Sequence, residues 1–275
     1  MAGEPDWIPP GVDTGRANVA RVYDYWLGGS HNYLADQDLG RSIAAVEPNA
    51  RVIARANRQF LGRAVRFLSG TGISQFLDIG SGIPTQGNVH EVAQQANPAA
   101  RVAYADVDPV VVAHSKAILA ANPGAPNPGA AVIEADLRDP EKILAHDTLR
   151  QLIDFGQPVG LLLVAVLHFI ADDEDPWRIV ATLRDALAPG SYLALSHATN
   201  ESRPAVAQAA EKVYNRSATT RLQMRSRAEI LRFFDGFDLV DPGLVYIPQW
   251  RPDSPSEVPT DPSQLWGLVG VARKH

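Results

Sequence analysis

From Gln75 onward, short apolar runs alternate with longer segments in which apolar residues recur every three or four positions. That alternation predicts mainly parallel strands joined by helices, with helices on both faces of the sheet. The runs place strands at Gln75–Ile79, Arg101–Ala105, Ala131–Glu134, Val159–Val164 and Tyr192–Ser196. A sixth lies at Phe237–Val240, which can continue through Val245–Ile247, and a seventh at Leu265–Ala272. The fourth run, Val159-Gly160-Leu161-Leu162-Leu163-Val164, lacks polar alternation, so it belongs in the sheet centre with both faces buried.

Helix starts are marked by capping chemistry. Asp108-Pro109 and Asp175-Pro176 each set a capping acid before a first-turn proline. Ser226-Arg227-Ala228-Glu229 reads as a capping box ahead of Ile230, Leu231, Phe233 and Phe234. The helix after the first strand can open at Asn88 with Glu91, or at Thr85. Before residue 70 the pattern is helical: Ala17–Leu27, a shorter piece near Asp36–Val46, and Arg51–Ser69, where Ile53, Ala56, Phe60, Ala64 and Leu68 recur at helical spacing. The chain therefore divides into an α-helical extension, residues 1–70, and a sheet domain, residues 71–275. Pro248–Pro262 is proline-rich and reads as a loop, on the ligand side of the sheet or at its opposite edge.

Composition narrows the field. With 45% hydrophobic and 20% charged residues among 275, the chain matches soluble globular proteins. No apolar run approaches the roughly 18 residues of a membrane span. Met1–Pro10 is acidic and proline-rich, unlike a secretory signal, so a cytoplasmic location is expected. The absence of cysteine excludes disulfides, thiolate metal sites and cysteine nucleophiles. A net charge of −6 without a basic block disfavours nucleic acid as a partner.

The candidate chemistry begins where the first strand runs into Asp78-Ile79-Gly80-Ser81-Gly82. Two glycines permit a tight turn and close approach of backbone to ligand. Asp106 closes the second strand, where an acid can accept hydrogen bonds from both hydroxyls of a ribose. Asp108 is its rival, although the Asp-Pro context suits a helix cap. A third acid, Asp136, follows the third strand. Asp78 stands where a dinucleotide fingerprint is normally apolar, and a carboxylate there suits a cationic ligand such as S-adenosylmethionine. Thr85 stands where a pyrophosphate would need a third glycine, which argues against an NAD-dependent oxidoreductase.

Together these residues resemble the Class I S-adenosylmethionine-dependent methyltransferases over residues 71–200. The resemblance implies a Rossmann-like, doubly wound, seven-stranded, mainly parallel sheet and S-adenosylmethionine as cofactor. It implies that Asp78, Gly80, Ser81 and Gly82 pass under the methionine part of the cofactor. Asp106 with Val107 would hold the ribose, Asp136 with Leu137 would face the adenine, and Val166 would border the transferring methyl. The run Arg21-Val22-Tyr23-Asp24-Tyr25-Trp26-Leu27-Gly28-Gly29-Ser30-His31-Asn32-Tyr33 is similar to an actinobacterial group within that class, the DUF574-like S-adenosyl methyltransferase family. Asn57-Arg58-Gln59-Phe60 and Leu167-His168-Phe169-Ile170 extend the similarity to nearly the whole chain. That group's substrates are generally unassigned.

An aromatic helix ending on Gly28-Gly29 suits a lid over a nucleoside. Tyr25 is either a stacking contact to the cofactor or a core residue; Trp26 reads as core. His168 and His197 follow the fourth and fifth strands, at the carboxyl ends where open parallel sheets bind ligands. His168 is the better candidate for a catalytic base. A base is not obligatory, because in-line positioning of an activated sulfonium supplies much of the acceleration. No metal is expected: Asp172–Asp175 reads as a solvated helix entry, and no ligand cluster has metal spacing. The expected activity is methyl transfer to a small-molecule O or N acceptor. The alternative is a non-catalytic regulatory protein that binds S-adenosylmethionine or S-adenosylhomocysteine.

Overall fold

The computed structural model describes residues 12–84, 87–120 and 129–275. Met1–Pro10 and Thr85, both weighed above, lie outside them. Three helices come first, α1 (Val19–Leu27), α2 (Leu34–Val46) and α3 (Ala50–Gly70). Then follow β1 (Gln75–Ile79), α4 (Val89–Ala96), β2 (Arg101–Asp106), α5 (Pro109–Ala120), β3 (Ala130–Glu134), α6 (Pro140–Ala145) and α7 (Asp147–Leu152). The second half holds β4 (Gly160–Val164), α8 (Pro176–Ala186), β5 (Tyr192–Ala198), α9 (Pro204–Ser217), α10 (Arg227–Leu231), β6 (Phe237–Leu239), β7 (Val245–Tyr246) and β8 (Gly267–Lys274).

The strands form one Rossmann-like sheet in the order β3-β2-β1-β4-β5-β8-β6. β1 to β5 pair in parallel, and β8 runs antiparallel between β5 and β6. The order reverses at β1, between β2 and β4, which opens a crevice beyond their carboxyl ends. β4 is central, as its unbroken apolar run requires. The sheet has eight strands rather than seven, because the expected sixth is two: β6 and β7 both pair with β8. Leu239 faces Ala272 and Val245 faces Val269, so the edge chain takes six steps where β8 takes three. Pro242 has no N–H for the ladder and Gly243 turns at φ 84°, so the surplus loops out.

Two-residue alternation sorts each strand between two cores. Leu77, Ile79, Leu161, Leu163 and Leu195 join Ile143, Leu149, Ile179 and Phe233 on one face. Phe76, Leu162 and Val269 join Phe60, Ala64 and Leu68 of α3 on the other. Complete burial of a Phe or Leu contributes about 1.5–3 kcal/mol, so α3 is part of the sheet's packing. Asp78 lies on the α3 side by the same alternation, which turns a strand carboxylate toward the N-terminal helices.

The expected caps form: Asp108 accepts from Val110 N, Asp175 from Arg178 N, and Asn88 with Glu91 closes a capping box. In the proline-rich loop Trp250 is fully buried, edge-on to Phe60 and Phe67 of α3, and its carbonyl accepts from Arg63 Nε at 2.9 Å. α9 is not among the expected elements, although Pro204 at its first turn and the spacing of Ala207, Ala210 and Tyr214 signal it. Among the described residues no helix is long and apolar enough to cross a membrane.

Candidate functional site

A cavity of about 240 Å³ opens beyond the carboxyl ends of β1 to β5 and runs beneath α1 and α3. Its floor is the turn after β1. Gly80 and Gly82 hold φ values of 73° and 67°, a region that favours glycine. A Cβ on Gly80 would come within 2.4 Å of Val166 Cγ2, so only glycine lets the turn lie against the end of β4. Ser81 Oγ is buried there without a hydrogen-bond partner.

Two buried carboxylates face this turn. Asp106 accepts from Gly82 N at 2.9 Å through Oδ2 and from Asp108 N at 3.0 Å through Oδ1. Burial raises its carboxyl to about 6 against the pull of those amides. Asp78 is 3% exposed, and burial pushes it up to about 7, with Arg58 opposing and Asp106 adding to the rise. Arg58 lines the same cavity; its Nη2 donates to Asn88 Oδ1 at 3.2 Å and its Nε is buried without a partner. A carboxylate left so short of compensation calls for a cationic ligand.

Val107 lines the next wall while about half exposed, a flat apolar surface beside Asp106. Leu137 is buried at the cavity wall, and Asp136 accepts from Arg138 N at 2.9 Å and pairs with its Nη1 at 3.2 Å. Asp78, Gly80, Ser81, Gly82, Asp106, Val107, Asp136, Leu137, Val166 and His168 thus share one cavity. Tyr25 does not line it. Its ring lies against Gly40 of α2 and 4.8 Å from the Arg51 guanidinium, because a helix turns neighbouring side chains to different faces. Tyr23 and Trp26 line the cavity instead.

The rest of the Gly-Gly run is structural. Asp24 Oδ2 accepts from His31 N and Asn32 Nδ2 at 2.9 and 2.8 Å, and a Cβ on Gly29 would overlap the Asp24 carboxylate.

Beyond β4 the chain turns sharply. Ala165 adopts φ 59°, its amide bound to Ser196 Oγ at 2.8 Å, and sparsely populated backbone of this kind gathers at functional sites. His168 follows; burial, then Arg225, hold its imidazole down to about 3, so it is neutral at physiological pH. Ala198 N approaches Nδ1 at 3.4 Å, which leaves Nε2 to carry the proton. His197 is sealed: Arg225 Nη1 donates to its Nε2 at 2.9 Å, and Nδ1–H donates to Ala198 O at 2.7 Å.

Arg225, unforeseen from the sequence, is 1% exposed and binds Leu167 O, Ile170 O and Asp172 as well as His197. Asp172 is therefore an anchor rather than purely a solvated acid, and Glu174 pairs with Arg138. Among the described residues no group of His, Asp and Glu has the arrangement of a metal site.

The sheet order with its switch point at β1 and the glycine turn that follows it is the Rossmann-like architecture of methyltransferases. The chain belongs to the S-adenosyl methyltransferase family, whose sequence pattern matches residues 5–275, and S-adenosylmethionine is that family's cofactor. It is similar to a candidate methyltransferase from Thermobifida fusca YX at 43% identity and a TM-score of 0.90, over 98% of this chain and 99% of that one. A DUF574 family protein from Streptomyces avermitilis MA-4680 matches at 39% identity and a TM-score of 0.90, over 96% of this chain and 99% of that one. The mitomycin 7-O-methyltransferase MmcR, at 16% identity and a TM-score of 0.52 over 92% of this chain and 71% of that one, shares the fold alone. No curated protein matches the chain.

Proposed function

We propose that the protein transfers a methyl group from S-adenosylmethionine to an oxygen or nitrogen of a small-molecule acceptor. One observation carries this reading: a single cavity is lined by the buried carboxylates and glycine turn, by Val166 and His168, and by apolar side chains of α2 and α9. Asp106 would accept from the ribose hydroxyls. Asp78 would pair with the cofactor's ammonium group, and the Arg58 guanidinium with its carboxylate. Val107 and Leu137 would flank the adenine, with Asp136 accepting from its amine. The cofactor supplies a methyl group on a sulfonium, already activated toward a lone pair.

The protein's own work is then positioning and the exclusion of water. An imidazole held near 3 is a weak base at neutral pH. His168 would instead orient the acceptor through Nε2–H. Helices within residues 1–70 would form the lid, and residues 71–275 the transferring domain. The test is transfer of a labelled methyl from S-adenosylmethionine to a panel of small alcohols, phenols and amines. A labelled product, formed with S-adenosylhomocysteine, is expected. Tight cofactor binding with no transfer to any of them would favour a sensor.

A further inference from the structure

The two carboxylates at the glycine turn are not equivalent. Asp106 accepts a backbone amide on each oxygen, Gly82 N at 2.9 Å and Asp108 N at 3.0 Å, and donors of this kind favour the ionised form. Asp78, on the neighbouring strand, lines the same cavity while almost fully buried. Its carboxylate accepts no hydrogen bond from any described residue.

The elements packed around Asp78 do little to hold a negative charge there. In the sheet it pairs with Tyr104 of β2 and Leu162 of β4. Burial keeps the Tyr104 phenol protonated, and its oxygen accepts from His90 N at 2.9 Å and donates to His90 Nδ1 at 2.7 Å, so its proton is already placed. Burial also holds the His90 imidazole of α4 below its ordinary range, and Glu91 beside it accepts from Asn88 N and Asn88 Nδ2. The cation acting on Asp78 is Arg58 of α3, whose Nη2 donates to Asn88 Oδ1 instead. Against Arg58 stands the charge of Asp106. Two carboxylates in one buried site resist ionising together, and the proton stays on the one with fewer donors. Burial accordingly pushes Asp78 up to about 7.

We propose that Asp78 is a proton-exchange site: protonated in the cofactor-free protein below neutrality, it gives up its proton when the cofactor's ammonium group arrives. The O–H bond of the neutral carboxyl breaks, the proton passes to the buffer, and the carboxylate left behind pairs with the ammonium. The ligand's amino group, with an ordinary value of about 8, is already charged near pH 6 and takes up no proton in return. Below about pH 7 each binding event must therefore remove a proton from the protein. Affinity rises with pH up to that point and levels off above it, with a slope approaching about tenfold per pH unit below about pH 6. The inference rests on the methyl-donor reading of the cavity.

The experiment is calorimetry at about pH 6 in MES and in Bis-Tris, whose ionisation enthalpies differ, so that the heats count the protons released. The ligands are S-adenosylhomocysteine and 5′-methylthioadenosine, which carries the same nucleoside without the amino-acid end. S-adenosylhomocysteine should release about one proton more than 5′-methylthioadenosine, because only its ammonium group meets Asp78. In Asp78→Asn the two ligands should release equal numbers. Between about pH 5.5 and about pH 7.5 wild type should bind S-adenosylhomocysteine about ten- to thirtyfold more tightly, and the variant should lose most of that dependence. Should the variant or 5′-methylthioadenosine give no binding signal, the other comparison decides. Equal release by the two ligands in wild type, or a difference that survives in Asp78→Asn, overturns the proposal. S-adenosylhomocysteine binding without the extra proton removes this inference only; no S-adenosylhomocysteine binding removes the donor reading and this inference with it.

Discussion

Gly82 donates its backbone N–H to the Asp106 carboxylate over 2.9 Å, which ties the turn after β1 to the end of β2. With Asp108 N on the other oxygen, the carboxylate is fixed in orientation before any ligand arrives. A carboxylate offers about four lone-pair sites, so acceptor capacity remains for a diol. The same two strands set Asp78 behind the turn, and one buried acid raises the other.

That arrangement makes the cofactor-free protein sensitive to pH. In the fold Asp78 titrates at about 7 and Asp106 at about 6, against 3.8 for an ordinary aspartate. The folded state therefore keeps protons that the unfolded chain has released. Their stabilising contribution is full below 3.8 and is lost as pH rises through about 6 to 7. Asp78→Asn removes its share, so the variant should gain on the order of 3 kcal/mol over wild type between pH 5 and pH 8. It should also lose cofactor affinity. Urea unfolding at the two pH values checks this, and a difference independent of pH would contradict it.

Gly80→Ala introduces a methyl 2.4 Å from Val166 Cγ2 on a φ of 73°. Backbone and overlap together should cost on the order of 2–4 kcal/mol. Adding Val166→Ala should recover the steric part and leave about 1–2 kcal/mol from the backbone. Full recovery in the double variant would show that the left-handed turn costs nothing.

His168 should stay neutral across the working range, because burial and Arg225 hold it near 3. Its ring resonances should not titrate between pH 5 and pH 8, and kcat should show no inflection near 6.5 that His168→Gln abolishes. In stability the sign is opposite to that of Asp78: the contribution is present above the unfolded pKa and is lost as pH falls toward about 3. An inflection that disappears in His168→Gln would restore the residue as a base.

Arg225→Met should cost on the order of 3–5 kcal/mol, since it strips donors from Leu167 O, Ile170 O and His197 Nε2 together. Methyl transfer should fall further than the folded fraction does, because the segment carrying Leu167 and His168 loses its anchor. Loss of activity in strict proportion to unfolding would make Arg225 a stability residue alone.

The parallel core was legible because β1 to β5 are local apolar runs, and the turn after β1 because it needs glycines, with an acid at fixed spacing to meet it. What escaped depends on distance along the chain. Arg225 acts on carbonyls more than fifty residues earlier, and no local pattern marks a buried arginine. Arg58 could be placed on a helix face, but not beside Asp78. Tyr25 and Tyr23 were separable only once the phase of α1 against α2 was known. The split of the sixth strand needed the register against β8, which only pairing fixes.

If the crevice at the switch point holds S-adenosylmethionine, Asp106 is the residue that grips its ribose. Calorimetric titration of wild type and Asp106→Ala with S-adenosylmethionine, with NAD as control, measures that grip. Micromolar binding to wild type, no heat from NAD, and a loss of about 1–3 kcal/mol in the variant as the ribose contacts disappear are the expected results. Equal affinity in wild type and variant would take the ribose role from Asp106, and no binding to either would take S-adenosylmethionine from the crevice.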